Sequence, residues 1–222
     1  MRILAIETAT SLGSVALLED DRPVRSIDEE VPRRHLEWLA PAIQRLLADA
    51  DWQPAQVQGI AVSVGPGGFT SLRIGIATAA AWARARRVPA AGVSTLAALA
   101  AGVEATGAIC PMLDARRGEV AAALFARDGA EPRRLRDDLV APLDQVLAWL
   151  PADEQVTFAG DALATYAGGI AAGLGRRAII APKAQWAPRA VHVGRLAWQR
   201  LARGEHDDLY YLWPVYARAP VT

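Results

Sequence analysis

RILAIETATSLGSVALLEDDRPVRSID, residues 2–28, contains three short apolar segments separated by polar residues that favour turns. Thr10 with Ser11 forms the first break, and Asp20 with Asp21 forms the second. The segments have the length of strands, and the middle one alternates in side-chain character. The strands are predicted at residues 2–7, 12–19 and 22–28. The sequence therefore predicts an antiparallel three-stranded meander.

Helices and strands alternate after the meander. Apolar residues recur at helical spacing over residues 33–50, which predicts an amphipathic helix that bends near Pro41. The apolar stretch VQGIAVSV, residues 57–64, predicts a buried strand. The elements predicted next are a helix at 71–86, a strand at 88–92 and a helix at 95–104. The predicted order is βββαβαβα.

The same order begins again at residue 108. The second series comprises strands at 108–114, 118–126 and 133–140, a helix at 143–149, a strand at 155–159, a helix at 161–173, a strand at 177–181 and a helix at 188–203. The repeat predicts an α/β fold with two lobes, residues 1–104 and 105–222, and a cleft between them. This order is typical of the ribonuclease H-like lobes of the actin-like ATPase superfamily, although a fold alone does not establish a function.

Charge and cysteine content restrict the classes of function. Lys plus Arg equals Asp plus Glu at 24 each, so no net field draws the chain to RNA or to an anionic membrane. Cys110 is the single cysteine, which excludes an intrachain disulfide and favours the reducing cytosol. Glu7 interrupts the first apolar segment early, as a signal peptide would not. We expect a soluble cytoplasmic protein without a membrane span.

A glycine-rich loop, GPGGFTSLRIG at residues 65–75, follows the predicted buried strand and opens a helix. A structural turn capped by Thr70 or Ser71 is one interpretation. Backbone amides at a helix start could also hold a phosphate, but the loop lacks the Walker lysine and the G-x-G-x-x-G spacing. The turn is therefore favoured. The loop residues of interest are Gly65, Pro66, Gly67, Gly68, Phe69 and Thr70.

This loop resembles the GPGSFTGLRIG motif of the bacterial TsaB family, from which it departs at Gly68 and Ser71. The resemblance extends over essentially the whole chain. Its other segments are ILAIETAT at 3–10, MLDARRGEV at 112–120 and PVYAR at 214–218, where the family has an ILAIDTST-like start, a DAR-x-GEV turn and a P-x-Y-x-R ending. Glu7 replaces the usual Asp, which weakens any metal or phosphate role at that strand end.

The resemblance implies a scaffold rather than an enzyme. TsaB-family proteins pair with the catalytic paralogue TsaD, which transfers a threonylcarbamoyl group to the tRNA adenosine next to the anticodon, and the ATPase TsaE completes the assembly. By this resemblance we expect a dimerisation subunit that has a TsaD-like and a TsaE-like partner. It would meet tRNA mainly through the complex and form a homodimer when alone.

Residue patterns independently argue against catalysis, metal binding and cofactor binding. The catalytic paralogue holds its metal with an H-x-x-x-H pair on one helix face, whereas His35 is followed by Leu39. His192 and His206 have no histidine four residues away. In the second lobe, Arg116 and Arg117 occupy a turn where a phosphate cradle needs small residues.

Two alternatives to the scaffold remain open. One is an active ATP-binding phosphotransferase or hydrolase of the actin-like superfamily. The other is a homodimeric interaction module of another pathway. Two arginine groups bear on RNA contact. The favoured interpretation is that they are charges at a helix C-terminus and on a solvated strand face. The less favoured one is a basic patch that assists tRNA binding. The groups are Arg84, Arg86 and Arg87, and Arg133, Arg134 and Arg136.

A partner surface is predicted on the first two helices. A helical wheel places Leu36, Leu39 and Ile43 on the core face of the first helix, with an outer face nearly opposite. The second helix has a second apolar face beside its core stripe, which indicates a further packing partner. The predicted interface residues are Trp38, Ala42, Arg45, Ile74, Gly75, Thr78, Ala81 and Trp82. Alternatively, another helix of the same chain covers this face.

Overall fold

The structure is a computed structural model that describes residues 1–129 and 131–215. The described chain forms two compact units. Among the described residues, unit 1 comprises Met1–Ala98 and residues 189–215, and unit 2 comprises those of Leu99–Pro188. No helix in the described residues has both the length and the apolar character needed to cross a membrane.

The secondary structure follows the predicted order. The first series is β1 (Arg2–Glu7), β2 (Leu12–Glu19), β3 (Arg22–Glu30), α1 (His35–Asp49), β4 (Gly59–Gly65), α2 (Phe69–Arg86), β5 (Ala90–Ser94) and α3 (Thr95–Ala101). The second is β6 (Gly107–Arg116), β7 (Glu119–Arg127), β8 (Arg133–Pro142), α4 (Leu143–Trp149), β9 (Val156–Ala159), α5 (Leu163–Leu174), β10 (Ala178–Ile180) and α6 (Ala190–Ala202). Short 3₁₀ turns lie at Pro54–Gln56, Gly175–Arg177 and Lys183–Gln185.

Unit 1 contains a five-stranded mixed sheet in the order β3-β2-β1-β4-β5. The meander β1–β3 is antiparallel, and β4 and β5 continue the sheet in parallel with β1. Side chains alternate across β1, so Leu4 and Ile6 lie in one apolar core while Ile3 and Ala5 lie in another. The sheet is therefore covered on both faces.

The two faces of this sheet receive different helices. Helices α1 and α2 contribute Leu39, Ile43 and Ile76 to the core around Leu4. Helix α6 contributes Val193 to the core on the opposite face, and it contacts β1, β2, β4 and β5. By these contacts α6 belongs to unit 1, whereas the sequence pattern assigned the helix at 188–203 to the second lobe. Sequence order alone did not reveal this return of the chain.

Unit 2 repeats the arrangement with the strand order β10-β9-β6-β7-β8. Strands β6–β8 are antiparallel, and β9 and β10 run parallel to β6. Cys110, Met112 and Phe158 lie in its core, against which α4 and α5 pack through Val146 and Ile170. Each unit is thus a mixed sheet with crossover helices, which confirms the predicted α/β class and the predicted order of elements.

Candidate functional site: the first hairpin, the motif loop and helices α1 and α2

The motif loop packs directly on the hairpin between β1 and β2. The backbone N–H of Gly68 donates to the carbonyl oxygen of Ala9 at 2.8 Å. A Cβ on Gly67 would lie 2.6 Å from Cβ of Ala9, closer than carbon atoms can approach. A Cβ on Gly75 of α2 would lie 2.3 Å from Oγ1 of Thr8. The motif glycines therefore allow the loop and helix to lie against the hairpin.

The remaining loop residues define the start of α2. The Gly65–Pro66 peptide bond is cis, and Pro66 is buried. Helix α2 begins at Phe69, two residues earlier than predicted, so Thr70 and Ser71 lie in its first turn. The residue before the helix is Gly68, so the predicted side-chain cap is absent at this helix start. Phe69 and Thr70 are exposed.

Glu7 ends β1 with a carboxyl group that is fully buried. The backbone N–H of Ala9 donates to its Oε1 at 2.6 Å, and its Oε2 has no hydrogen-bond partner among the described residues. Burial raises the pKa of Glu7 to about 7, because the charged form loses hydration. The hydrogen bond from the backbone N–H of Ala9 offsets only part of this effect. The carboxyl is therefore poised between neutral and charged forms near neutral pH.

The groups near this hairpin are buried and incompletely hydrogen-bonded. Oγ1 of Thr8, Oγ1 of Thr10 and Nε2 of His35 have no partner within the described part of the chain. His35 begins α1 and is buried, and burial lowers its pKa. Glu7 and Thr8 have no exposed surface, and Ala9 has almost none. The end of β1 is therefore closed to solvent at Glu7 and Thr8.

The corresponding turn of unit 2, Asp114–Gly118, has a different form. Arg116 and Arg117 both adopt positive φ angles, 66° and 56°, and both side chains are exposed. The Arg116 guanidinium pairs with Asp114 at 3.1 Å. Asp161 accepts a hydrogen bond from the backbone N–H of Asp114 at 2.9 Å. The turn presents two long cationic side chains to solvent.

The histidines lie apart from one another in the fold. His35 faces the first hairpin, and Leu39, at the second position of the H-x-x-x-H pattern, is buried in the core. His192 is half-buried on α6, and His206 is exposed. Within residues 1–129 and 131–215, no group of three or more His, Cys, Asp or Glu side chains is arranged to hold a metal.

On α1, part of the interface predicted from the sequence lies in the core of the structure. Trp38 is half-buried, and its Nε1 donates to Glu29 at 2.8 Å. Ala42 is only 3% exposed and belongs to the core, so it is not a surface residue. Arg45 is exposed and pairs with Glu29. Leu36, expected in the core, is instead 74% exposed.

On α2, Ile74 and Trp82 pack against the core and are half-buried. Gly75 is buried against the hairpin, so it too is not a surface residue. Thr78 is half-buried and donates from Oγ1 to the carbonyl oxygen of Ile74 at 2.8 Å, whereas Ala81 is exposed. Because α1 contacts α2, part of the face predicted for a partner is covered within unit 1.

The exposed face of α2 is a stripe from which the sequence predicted only Ala81 as an interface residue, with Phe69 named as part of the motif loop. It consists of Phe69, Arg73, Ala77 and Ala81, which recur at intervals of four residues. The Arg73 guanidinium lies 3.9 Å from the centroid of the Phe69 ring. Alanine at two of the four positions leaves room for another helix to approach. The four-residue spacing could have indicated this stripe from the sequence. A hydropathy wheel does not reveal it, because alanine side chains contribute little to the hydrophobicity of a helix face.

These units define a class: a protein built from two ribonuclease H-like halves, as in the actin-like ATPases. The structure titled "YeaZ from Pseudomonas aeruginosa" superposes with a TM-score of 0.83 at 31% identity, covering 97% of this chain and 99% of that one. The activator of 2-hydroxyisocaproyl-CoA dehydratase from Clostridium difficile superposes with a TM-score of 0.57 at 10% identity, covering 92% and 97% of the two chains. The latter likeness concerns the fold alone.

Sequence comparison gives the family. The chain is 32% identical over 220 residues to the tRNA threonylcarbamoyladenosine biosynthesis protein TsaB of Bacillus subtilis, covering 98% of this chain and 94% of that protein. The TsaB of Escherichia coli is 40% identical over 131 residues, 58% of this chain and 56% of that protein. The model of the related TsaD family, tRNA N6-adenosine threonylcarbamoyltransferase, matches residues 27–221. The chain belongs to the TsaB family.

Proposed function

We propose that this chain is a non-catalytic scaffold subunit required for threonylcarbamoyladenosine formation on tRNA. Its role is to support a TsaD-like catalytic partner, with a TsaE-like ATPase in the same assembly. The observation that carries the proposal is the packing of the motif loop on the first hairpin, where Gly68 binds Ala9. The names and family of its relatives supply the pathway.

The packing of unit 1 supports a non-catalytic role. A phosphate at the end of β1 would need free backbone donors and open space. Here the Gly68 N–H is already bound, and Glu7 and Thr8 have no exposed surface. Leu39 at the second position of the histidine pattern is a core residue. The described residues of this unit therefore offer neither a phosphate cradle nor a metal pair.

The exposed stripe of α2, Phe69, Arg73, Ala77 and Ala81, is the proposed partner surface. It joins an aromatic ring, a guanidinium and small side chains, a composition that suits a helix–helix interface. Leu36, exposed on α1, extends the surface, whereas the predicted Arg45 lies on the opposite side of that helix, where it pairs with Glu29 of β3. Of the residues predicted from sequence, Trp38, Ile74, Thr78 and Trp82 are half-buried and can contribute only their outer parts. The same surface would serve a homodimer when the partner is absent.

Reconstitution tests the proposal directly. Purified TsaD-like and TsaE-like partners from the same organism are combined with tRNA, ATP and the threonylcarbamoyl donor, with and without this chain. We expect modified nucleoside only when the chain is present, and none from the chain alone. Modification by the chain without partners, or full activity of the partners without it, contradicts the proposal. Tight ATP binding by the isolated chain would favour the phosphotransferase or hydrolase alternative.

A further inference from the structure

A short segment after α6 exposes three large aromatic side chains. Tyr210, Tyr211 and Trp213 are 71%, 79% and 69% exposed. Large apolar side chains clustered on a surface usually mark a binding site. The segment follows α6 and packs near β5 and α2. The backbone N–H of Asp207 donates to the carbonyl oxygen of Ala90 in β5, and Arg84 of α2 lies over the Tyr210 ring.

The backbone of this segment is held in place on both sides of the aromatic residues. Asp207 accepts a hydrogen bond from the backbone N–H of Gly92 at 2.7 Å and pairs with Arg200 at 2.6 Å. Leu212 is buried in the core of unit 1. The backbone N–H of Val215 donates to the carbonyl oxygen of Val64 at 2.6 Å. The aromatic rings are therefore presented from a fixed backbone, which lowers the entropic cost of binding.

A cationic side chain from the end of α2, Arg84, lies against this segment, and two more arginines follow it in the chain. The Arg84 guanidinium is 4.9 Å from the centroid of the Tyr210 ring. Arg86 and Arg87 follow on the exposed end of the helix, and none of the ion pairs among the described residues includes these three arginines. The exposed carboxylate of Asp208 accepts from the backbone N–H of Tyr210. The local charge therefore remains positive.

We infer that this surface binds single-stranded RNA. The aromatic–arginine surface is defined as Tyr210, Tyr211, Trp213, Arg84, Arg86 and Arg87. Stacking of bases on aromatic rings, combined with arginines that track the phosphates, is the common mode of single-strand recognition. A protein partner could also use tyrosine, tryptophan and arginine, but three arginines without carboxylate partners complement a polyanion better. The inference rests on the proposed function, which supplies tRNA as the source of an unpaired loop.

Fluorescence anisotropy of the full-length chain with a labelled single-stranded RNA, and with the same RNA annealed to its complement, tests this inference. We expect the single strand to bind more tightly than the duplex. Tyr211→Ala and Trp213→Ala should each weaken single-strand binding at least about fivefold, and Trp213→Phe should retain most of it. The double variant Arg86→Gln/Arg87→Gln should bind more weakly and with a smaller dependence on salt.

Arg25→Gln, on the exposed edge strand β3, is the matched control and should bind RNA as the wild type does. Circular dichroism and thermal melting verify the fold of each variant, and Tyr211 is exposed enough that its replacement should not disturb folding. Equal binding of duplex and single strand, or no effect of the aromatic variants, overturns the inference. The inference is also overturned if these variants no longer bind the TsaD-like partner but still bind RNA with the affinity of the wild type. Reconstituted modification, measured in parallel, reports separately on the proposed function.

Discussion

The backbone N–H of Ala9 donates a 2.6 Å hydrogen bond to Oε1 of Glu7, while Oε2 of the same carboxyl has no partner among the described residues. Glu7 is fully buried and Ala9 is held in turn by Gly68 of the motif loop. A half-satisfied buried carboxyl at the end of β1 thus connects the first hairpin to the family motif. Titration of this carboxyl should make stability depend on pH, and the packing of the loop on the hairpin should make the motif glycines sensitive to substitution.

Glu7 should make stability fall as pH rises. Its carboxyl has an ordinary pKa of 4.5 and a folded-state pKa of about 7, so the folded state binds more protons between these values. Its contribution is fully present below about 4.5 and is lost by about 7, a change of roughly 3 kcal/mol. Urea unfolding of Glu7→Gln at pH 5 and pH 8 should lack this component. Asp21→Asn, an exposed acid, is the control; an unchanged pH profile in Glu7→Gln contradicts the assignment.

Gly67 should tolerate no side chain. In Gly67→Ala the new Cβ would lie 2.6 Å from Cβ and 2.7 Å from the carbonyl oxygen of Ala9, so the hairpin must shift. We expect a loss of about 1–3 kcal/mol in the free energy of unfolding. Gly129→Ala is the matched loop control, because no atom of the described residues, apart from its chain neighbours, lies within 4 Å of its added Cβ. Equal stability of the two variants, measured by urea unfolding, would show that the loop is not tightly packed.

Ala77→Arg or Ala81→Arg should disrupt association with the TsaD-like partner and leave the fold intact. Both alanines are exposed on α2, and a long charged side chain there blocks a close helix contact. We expect affinity to fall at least tenfold, or about 1.4 kcal/mol, by isothermal titration calorimetry. Ala171→Arg, an exposed alanine of α5, is the control and should bind normally. Native affinity in both α2 variants would remove the stripe from the interface.

Ile74→Arg and Trp82→Arg should instead lower stability. Both side chains pack against the core of unit 1, so arginine would displace buried apolar surface. The helical wheel alone placed both residues on a partner-binding face, where arginine would leave the fold intact. Thermal melting separates the two expectations: a native melting temperature in either variant would restore the view that these residues lie off the core.

The isolated chain should bind neither MgATP nor a tightly held metal. Leu39 occupies the second position of the histidine pattern, Glu7 and Thr8 are fully buried, and the motif loop is hydrogen-bonded to Ala9. Calorimetric titration with MgATP should give no binding heat, and treatment with a chelator should leave the melting temperature unchanged. One metal ion per chain in elemental analysis contradicts this expectation.

Depletion of the chain in its own organism should remove threonylcarbamoyladenosine from tRNAs that read codons beginning with A. The reason is that, in the proposed function, the TsaD-like partner requires this chain as its scaffold. Nucleoside mass spectrometry measures the modification, with another modified nucleoside in the same digest as the internal control. Unchanged modification in a depleted strain that has no second copy of the gene is incompatible with the proposed role.

Local sequence pattern determined the order of elements and the class of fold. The apolar run in β1, the alternation in β2 and the helical spacing from Leu39 to Leu47 are short-range features that depend on each residue's own neighbours. The motif GPGGFTSLRIG likewise identified the family before any contact was known. For these features, tertiary structure changed only the ends of elements by a few residues.

Tertiary structure alone decided which surfaces meet. Leu36 is exposed and Ala42 is buried because the buried stripe of α1 follows the sheet beneath it, whereas hydropathy ranks leucine above alanine at every position. Helix α6 crosses back to unit 1, where Val193 packs beside Ile3 and Ala5, a contact between residues almost 200 positions apart. The burial of Glu7 at the end of β1 has the same origin. Periodicity gives the direction of a side chain, but only the folded chain supplies the neighbour that covers it.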